Sequence, residues 1–271
     1  MSAIGKAFEP GHKAFIGFVT GGDPSLEQSE EYILEMIRAG ADLVEIGVPF
    51  SDPIAEGPVI QEANLRALAA GTTLDKLFCL VERLRLKTAA PLVFLSYLNP
   101  VFHYGYERFF RRCQEARVDG LIVPDLPLEE QGEVRGAAAP YGVDLISLAA
   151  PSSQDRIKKI VQTAAGFLYV VSSMGVTGVR REIETDLAAL IARIRGEAAG
   201  RAERLPVAVG FGIHTPAQAS AIARLADGVI VGSGIVKIIA EHGAKAGAPV
   251  YRYVKEMKAA VEAARGWGNT D

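Results

Sequence analysis

Eight short apolar runs alternate with helical segments along this 271-residue chain, and that alternation restricts the fold more than any other feature. The runs are AFIGFV from Ala14, LVEIGV from Leu43, PLVFLSYL from Pro91 and DGLIVP from Asp119, then VDLISL from Val143, GFLYVV from Gly166, LPVAVG from Leu205 and DGVIVG from Asp227. Strands buried on both faces read as continuous apolar runs rather than alternating ones, and their regular interruption by helices points to parallel βαβ units. Helical spacing or capping residues mark the segments between them. Asp23-Pro24-Ser25 opens the first, whose Ile33, Leu34 and Ile37 recur at helical intervals until Gly40 ends it. Later helices are expected near 61–69, 74–86, 106–116, 128–139, 154–163, 184–195, 215–225 and 250–264, with another after Ser233.

A doubly wound open sheet accommodates the same pattern but more often has fewer strands. Eight units in this length favour a closed (β/α)8 barrel, the TIM barrel, as one domain over residues 1–271 with no linker to split it. Ser2 to Glu9, ended by Pro10 and Gly11, is expected to form a short extra helix that plugs one end.

Composition narrows the function. A net charge of -3 with dispersed Lys and Arg offers no basic stripe for nucleic acid. No apolar run approaches the roughly 20 residues that span a bilayer, and Met1 to Pro10 lacks a signal-peptide pattern, so a soluble chain without an export signal is expected. His12, His103, His214 and His242 have no metal-ligand spacing, and no metal is expected. Cys79 and Cys113 fall in predicted helices outside any C-x-x-C arrangement and read as reduced thiols.

In such a barrel the chemistry lies on loops at the carboxyl ends of the strands. The unusual stretches all fall there: Thr20-Gly21-Gly22-Asp23, Ser51 to Gly57, Gly175 to Gly178, Gly210-Phe211-Gly212 and Gly232-Ser233-Gly234. Glycine lets backbone approach a ligand, N–H groups at a helix start attract anions, and barrels often bind phosphate after strands seven and eight. The last two stretches together therefore point to phosphate, although each alone is also an ordinary strand-to-helix turn. Glu45 poses a separate question, because it is a charge between Val44 and Ile46 inside an apolar strand. Either a Lys or Arg elsewhere in the core holds it as a structural carboxylate, or its surroundings raise its pKa so that it donates and accepts protons near neutral pH. Glu56 and Asp52, read alone, are also compatible with a solvated loop and simple turn chemistry.

The long run VEIGVPFSDPIAEGPVIQEANLRALAAG (Val44 to Gly71) resembles the tryptophan synthase alpha chain family. So do FVTGGDP from Phe18, PDLPLEE from Pro124, SSMGVTG from Ser172, VGFGI from Val209 and VGSGIVK from Val231, in the same order. The resemblance implies a cytoplasmic (β/α)8 lyase that splits indole-3-glycerol phosphate into indole and glyceraldehyde 3-phosphate without a cofactor of its own. It also implies a pyridoxal-phosphate beta chain as partner in an α2β2 complex, receiving the indole through a tunnel. By this resemblance Glu45 is the acid–base residue, and Glu56 holds the place of a second catalytic carboxylate that is more often aspartate. Phe18, Ile60, Leu95, Tyr97, Tyr169 and Phe211 match the indole pocket, and Thr177 matches the closing-loop threonine. Gly178, Gly212, Gly232 and Ser233 match the phosphate site, while Asp52 and Pro53 face the partner. The loops 52–58 and 173–181 are expected to act as lids. Two other activities fit less of this pattern: a stand-alone lyase of the same ancestry, and a phosphate-sensing regulatory subunit.

Overall fold

A computed structural model describes residues 3–172, 180–210 and 212–264. A 3₁₀ turn over Ala3–Phe8 precedes β1 (Ala14–Thr20), α1 (Leu26–Arg38) and β2 (Leu43–Gly47). Then come α2 (Pro58–Ala69), α3 (Leu74–Arg85), β3 (Leu92–Leu95), α4 (Leu98–Tyr104), α5 (Tyr106–Ala116), β4 (Gly120–Ile122) and α6 (Gln131–Ala138). The chain continues with β5 (Asp144–Ala149), α7 (Ile157–Thr163), β6 (Leu168–Val171), α8 (Arg180–Ala198) and β7 (Val207–Gly210). It ends with α9 (Pro216–Leu225), β8 (Gly228–Val231), α10 (Ser233–His242) and α11 (Gly247–Ala263). The strands pair in parallel in sequence order and β8 closes on β1, so the expected TIM barrel forms. Among the described residues no helix is long and apolar enough to cross a membrane.

Local signals account for most boundaries. Ser25 caps α1 by accepting from the Gln28 N–H at 3.3 Å, and Thr215 with Gln218 forms a reciprocal capping box at α9, with Pro216 in its first turn. The run from Pro91 departs from the single strand expected of it. β3 stops at Leu95 and Leu98 already begins α4, because the Asp125 carboxylate, from the loop after β4, accepts the Leu98 N–H at 2.9 Å. A cap supplied 27 residues downstream leaves no local mark in the sequence.

Strand side chains alternate between two cores. Val44, Ile46, Phe94, Leu121 and Val209 face outward among the helices, whereas Ile16, Leu43, Val93, Ile122 and Ile146 fill the barrel. The N-terminal turn is the expected plug. Its Ile4 and Phe8 join the interior cluster, Phe8 lies 5.4 Å from the Phe167 ring, and both abut glycines where strands begin, Ile4 at Gly120 and Phe8 at Gly228. The plug therefore closes the amino end of the barrel, opposite the carboxyl ends of the strands. Phe8→Ala is expected to cost about 3–5 kcal/mol, seen as a lower urea midpoint with an unchanged slope.

Aspartates just ahead of three strands tie that end together. Asp42 accepts from Phe15 N–H at 2.7 Å, Asp119 from Leu92 N–H at 2.8 Å and Asp227 from Val207 N–H at 2.9 Å. Each also binds a cation: Lys258 at 2.6 Å, Arg85 at 2.5 Å and Arg204 at 2.5 Å. The buried lysine is thus satisfied at the closed end, away from the chemistry.

Candidate active site

The open end holds a cavity of about 410 Å³. Period-two alternation brings Glu45 into it: its neighbours Val44 and Ile46 turn outward, so the carboxyl turns inward beside Phe18 on β1 and Val93 on β3. Glu45 is 1% exposed, and its Oε1 is buried without a hydrogen-bond partner. Of the two readings open for this residue, the Lys or Arg partner is not found among the described residues. Burial alone pushes its pKa up to about 8, with no cation to offset it. Opposite stands Tyr169, whose hydroxyl is held protonated well above its ordinary range by burial and then by the Glu45 charge.

Glu56 reaches the same cavity from the loop between β2 and α2. Its Oε2 accepts from Asn64 Nδ2 at 2.6 Å, and its backbone carbonyl accepts from Gln61 Nε2 at 2.8 Å. Burial raises its pKa above the ordinary carboxylate range, and the Asn64 hydrogen bond works against that rise. Two carboxyls with different environments thus share one cavity.

The walls between them are apolar. Phe18, Ile60 and Leu95 line the cavity, and Phe18 packs with Ala63 on α2 and Val236 on α10. Leu148, Val171, Pro124 and Ile230 add wall that single-residue inspection of the sequence did not pick out, since inward strand positions of a barrel look like any other core positions. Tyr97 stands one step back from the cavity. It is buried against Phe50, at 5.4 Å between ring centroids, and its hydroxyl accepts the Ala55 N–H at 2.9 Å, so it tethers the loop that carries Glu56.

Gly212, Gly232 and Ser233 lie together on the far side of the cavity. The four glycines of the two glycine-rich turns do not share one reason. Gly212 has φ +73° and borders the cavity, as does Gly232 at the start of α10. A Cβ on Gly210 would instead meet the Tyr169 hydroxyl at 2.4 Å, and one on Gly234 the Tyr253 hydroxyl at 2.3 Å. Those two make room for tyrosines, while Gly212 and Gly232 are the glycines of these turns that border the cavity. His214 also borders this end, with Nδ1 2.9 Å from the Gly212 carbonyl oxygen. Lys237 points away, pairing with Glu241 on the exposed face of α10 at 3.8 Å.

Thr177, Gly178 and Phe211, expected at the closing loop, the phosphate site and the indole pocket, lie outside the described residues. So does most of the second expected lid, including 173–179. On the first, Asp52 is exposed, Pro53 half-buried and Ile54 81% exposed. Phe102 on α4, at the same end of the barrel, is 62% exposed. Among the described residues no cluster of three or more His, Cys, Asp or Glu is gathered as a metal would require.

A family model described as tryptophan synthase alpha chain matches residues 5–264. The chain is 53% identical over 252 residues to the tryptophan synthase alpha chain of Lactiplantibacillus plantarum, covering 93% of both sequences. It is 51% identical over 242 residues to that of Citrifermentans bemidjiense, covering 88% of this chain and 89% of the relative. Tryptophan synthase subunit alpha from Legionella pneumophila superposes with a TM-score of 0.87 at 34% identity, over 97% of this chain and 99% of that one. A chain from the tryptophan synthase α2β2 complex of Pyrococcus furiosus superposes with a TM-score of 0.82 at 36% identity, over 91% and 98%.

Proposed function

Since the chain belongs to the tryptophan synthase alpha chain family, we propose that it is a cytoplasmic carbon–carbon lyase that cleaves indole-3-glycerol phosphate into indole and glyceraldehyde 3-phosphate. The observation that carries this reading is Glu45, a carboxyl with an unpartnered oxygen buried in the wall of a ligand-sized cavity. A chain that only sensed phosphate would have no use for it.

The reaction begins with Glu45 protonated. It gives its proton to indole C3, and the ring becomes a cation with its charge on nitrogen, which the Glu56 carboxylate stabilises. The bond from C3 to the glycerol carbon then breaks with its electron pair returning to the ring, which becomes neutral indole. The carbon left behind becomes the aldehyde as its hydroxyl gives a proton to the Glu45 carboxylate, restoring the starting state. Phe18, Ile60 and Leu95 hold the indole, and Gly212, Gly232 and Ser233 hold the phosphate at the other end of the same molecule. Tyr97 keeps the Glu56 loop within reach through Ala55.

The partner in this reading is a tryptophan synthase beta chain in an α2β2 assembly. Asp52, Pro53 and the exposed Ile54 and Phe102 stand at the open end, where indole leaves. The test is the initial rate of indole release by the purified chain, alone and with a beta chain added. A slow rate that rises steeply on addition is expected, and no indole in either case, with phosphate ligand still bound, overturns the proposal. Because Glu45 must start protonated and Glu56 ionised, kcat/KM is expected to fall as pH rises past about 8, and to fall on the acid side as Glu56 takes up a proton.

A further inference from the structure

Asn64 is the polar member of the buried face of α2, between Ala63 and Ala67, and is itself 2% exposed. An amide buried this deeply is costly unless bonded. Its bond goes to one oxygen of Glu56 at 2.6 Å, while Glu56 still borders the cavity. α2 therefore grips this residue twice, at the carboxylate through Asn64 and at the main chain through Gln61. The helix is fixed in turn, because Arg66, two residues beyond Asn64, makes a double hydrogen bond at 2.8 Å and 2.8 Å to Asp23, a buried carboxylate in the loop after β1.

Side-chain length gives the contact its meaning. A glutamate at 56 is one methylene longer than an aspartate, and a carboxylate on a longer, freer arm is harder to hold in a reactive position. We propose that Asn64 is the positioning residue for Glu56: it anchors one carboxylate oxygen against α2, taking up the extra reach of the glutamate and leaving the other oxygen for the substrate. This rests on the reading of Glu56 as the second catalytic carboxyl. An aspartate at 56 is one methylene shorter, so with the loop in place it is expected to lose the contact.

The experiment is a double-mutant cycle in the complex with the beta chain, together with a carboxyl titration that does not depend on turnover. Asn64→Ala is expected to lower kcat about 10-fold while KM stays within about 2-fold. In the Glu56→Asp background, where the contact is already gone, Asn64→Ala is expected to add less than about 2-fold. An equal factor in both backgrounds overturns the proposal, because Asn64 would then act through the fold alone. In the chain carrying ¹³C-carboxyl glutamate, with the Glu56 signal assigned by its loss in Glu56→Gln, Asn64→Ala is expected to move the Glu56 titration to higher pH. Asn64→Asp, which keeps the shape and replaces a donor by a like charge, is expected to move it further. An unchanged titration in both folded variants also overturns the proposal. If the wild-type complex releases no indole, the lyase reading fails, and the titration still decides whether Asn64 holds Glu56.

Discussion

Glu45→Gln is expected to lower indole release about 10²- to 10⁴-fold, the range lost with a positioned acid–base group, while phosphate-ligand affinity is retained. The amide fills the same space in the cavity wall, but its N–H protons are far too weakly acidic to be given to carbon. The same substitution is expected to change stability in a direction that exposes the cost of the site. Burial sets the folded pKa of Glu45 at about 8, above its unfolded value of 4.5, so across that interval the folded chain keeps a proton that the unfolded chain has lost. Stability then falls as pH rises between the two values, by up to about 1.4 kcal/mol per pH unit, and levels off above the upper one. Glu45→Gln removes this dependence. Its thermal midpoint relative to wild type should therefore be higher at pH 8.5 than at pH 5. Parallel curves across that range would mean that the carboxyl finds a partner in solution and is not poised as described.

Glu56→Ala is expected to lower the rate by about 10²-fold or more, and Glu56→Asp by less than about 10-fold. The asymmetry follows from what the residue has to supply. A negative charge near the ring nitrogen stabilises the cation formed when C3 is protonated, and an aspartate on a loop tethered at Ala55 still supplies it at a slightly different distance. The alanine supplies nothing. Equal steady-state losses in the two variants would remove the carboxylate from the mechanism and leave Glu56 a loop-packing residue.

Much of this was legible in the sequence for identifiable reasons. The eight apolar runs announce the barrel because both faces of each strand are buried. Glu45 stands out because a charge at an inward position breaks that run. The same period places it in the cavity rather than among the helices. Glu56 was ambiguous because a loop carboxylate looks solvated until the helix that follows is seen to bury it. Asn64 carried no signal at all: in VIQEANLRALAAG it is one polar residue among several, and only the direction of α2 separates it from Gln61 and Glu62. Tyr97 matched the pocket by position, yet its hydroxyl is spent on Ala55, since the chain turns into α4 earlier than the apolar run suggests. Gly210 and Gly234 carry the same letter as their cavity-lining neighbours Gly212 and Gly232, and only the structure shows that they are spaces left for tyrosine rings.

The stopper made by Ile4 and Phe8 bears on more than stability. With the floor sealed by apolar side chains, the described residues leave Glu45 facing bulk water through the mouth, which the substrate would occupy in the proposed reaction. In the proposed reaction its proton supply is then private: the one spent on carbon is replaced by the one recovered from the hydroxyl. On that reading the acid is recharged by its own substrate, and the chamber is ready for the next molecule as soon as its mouth clears.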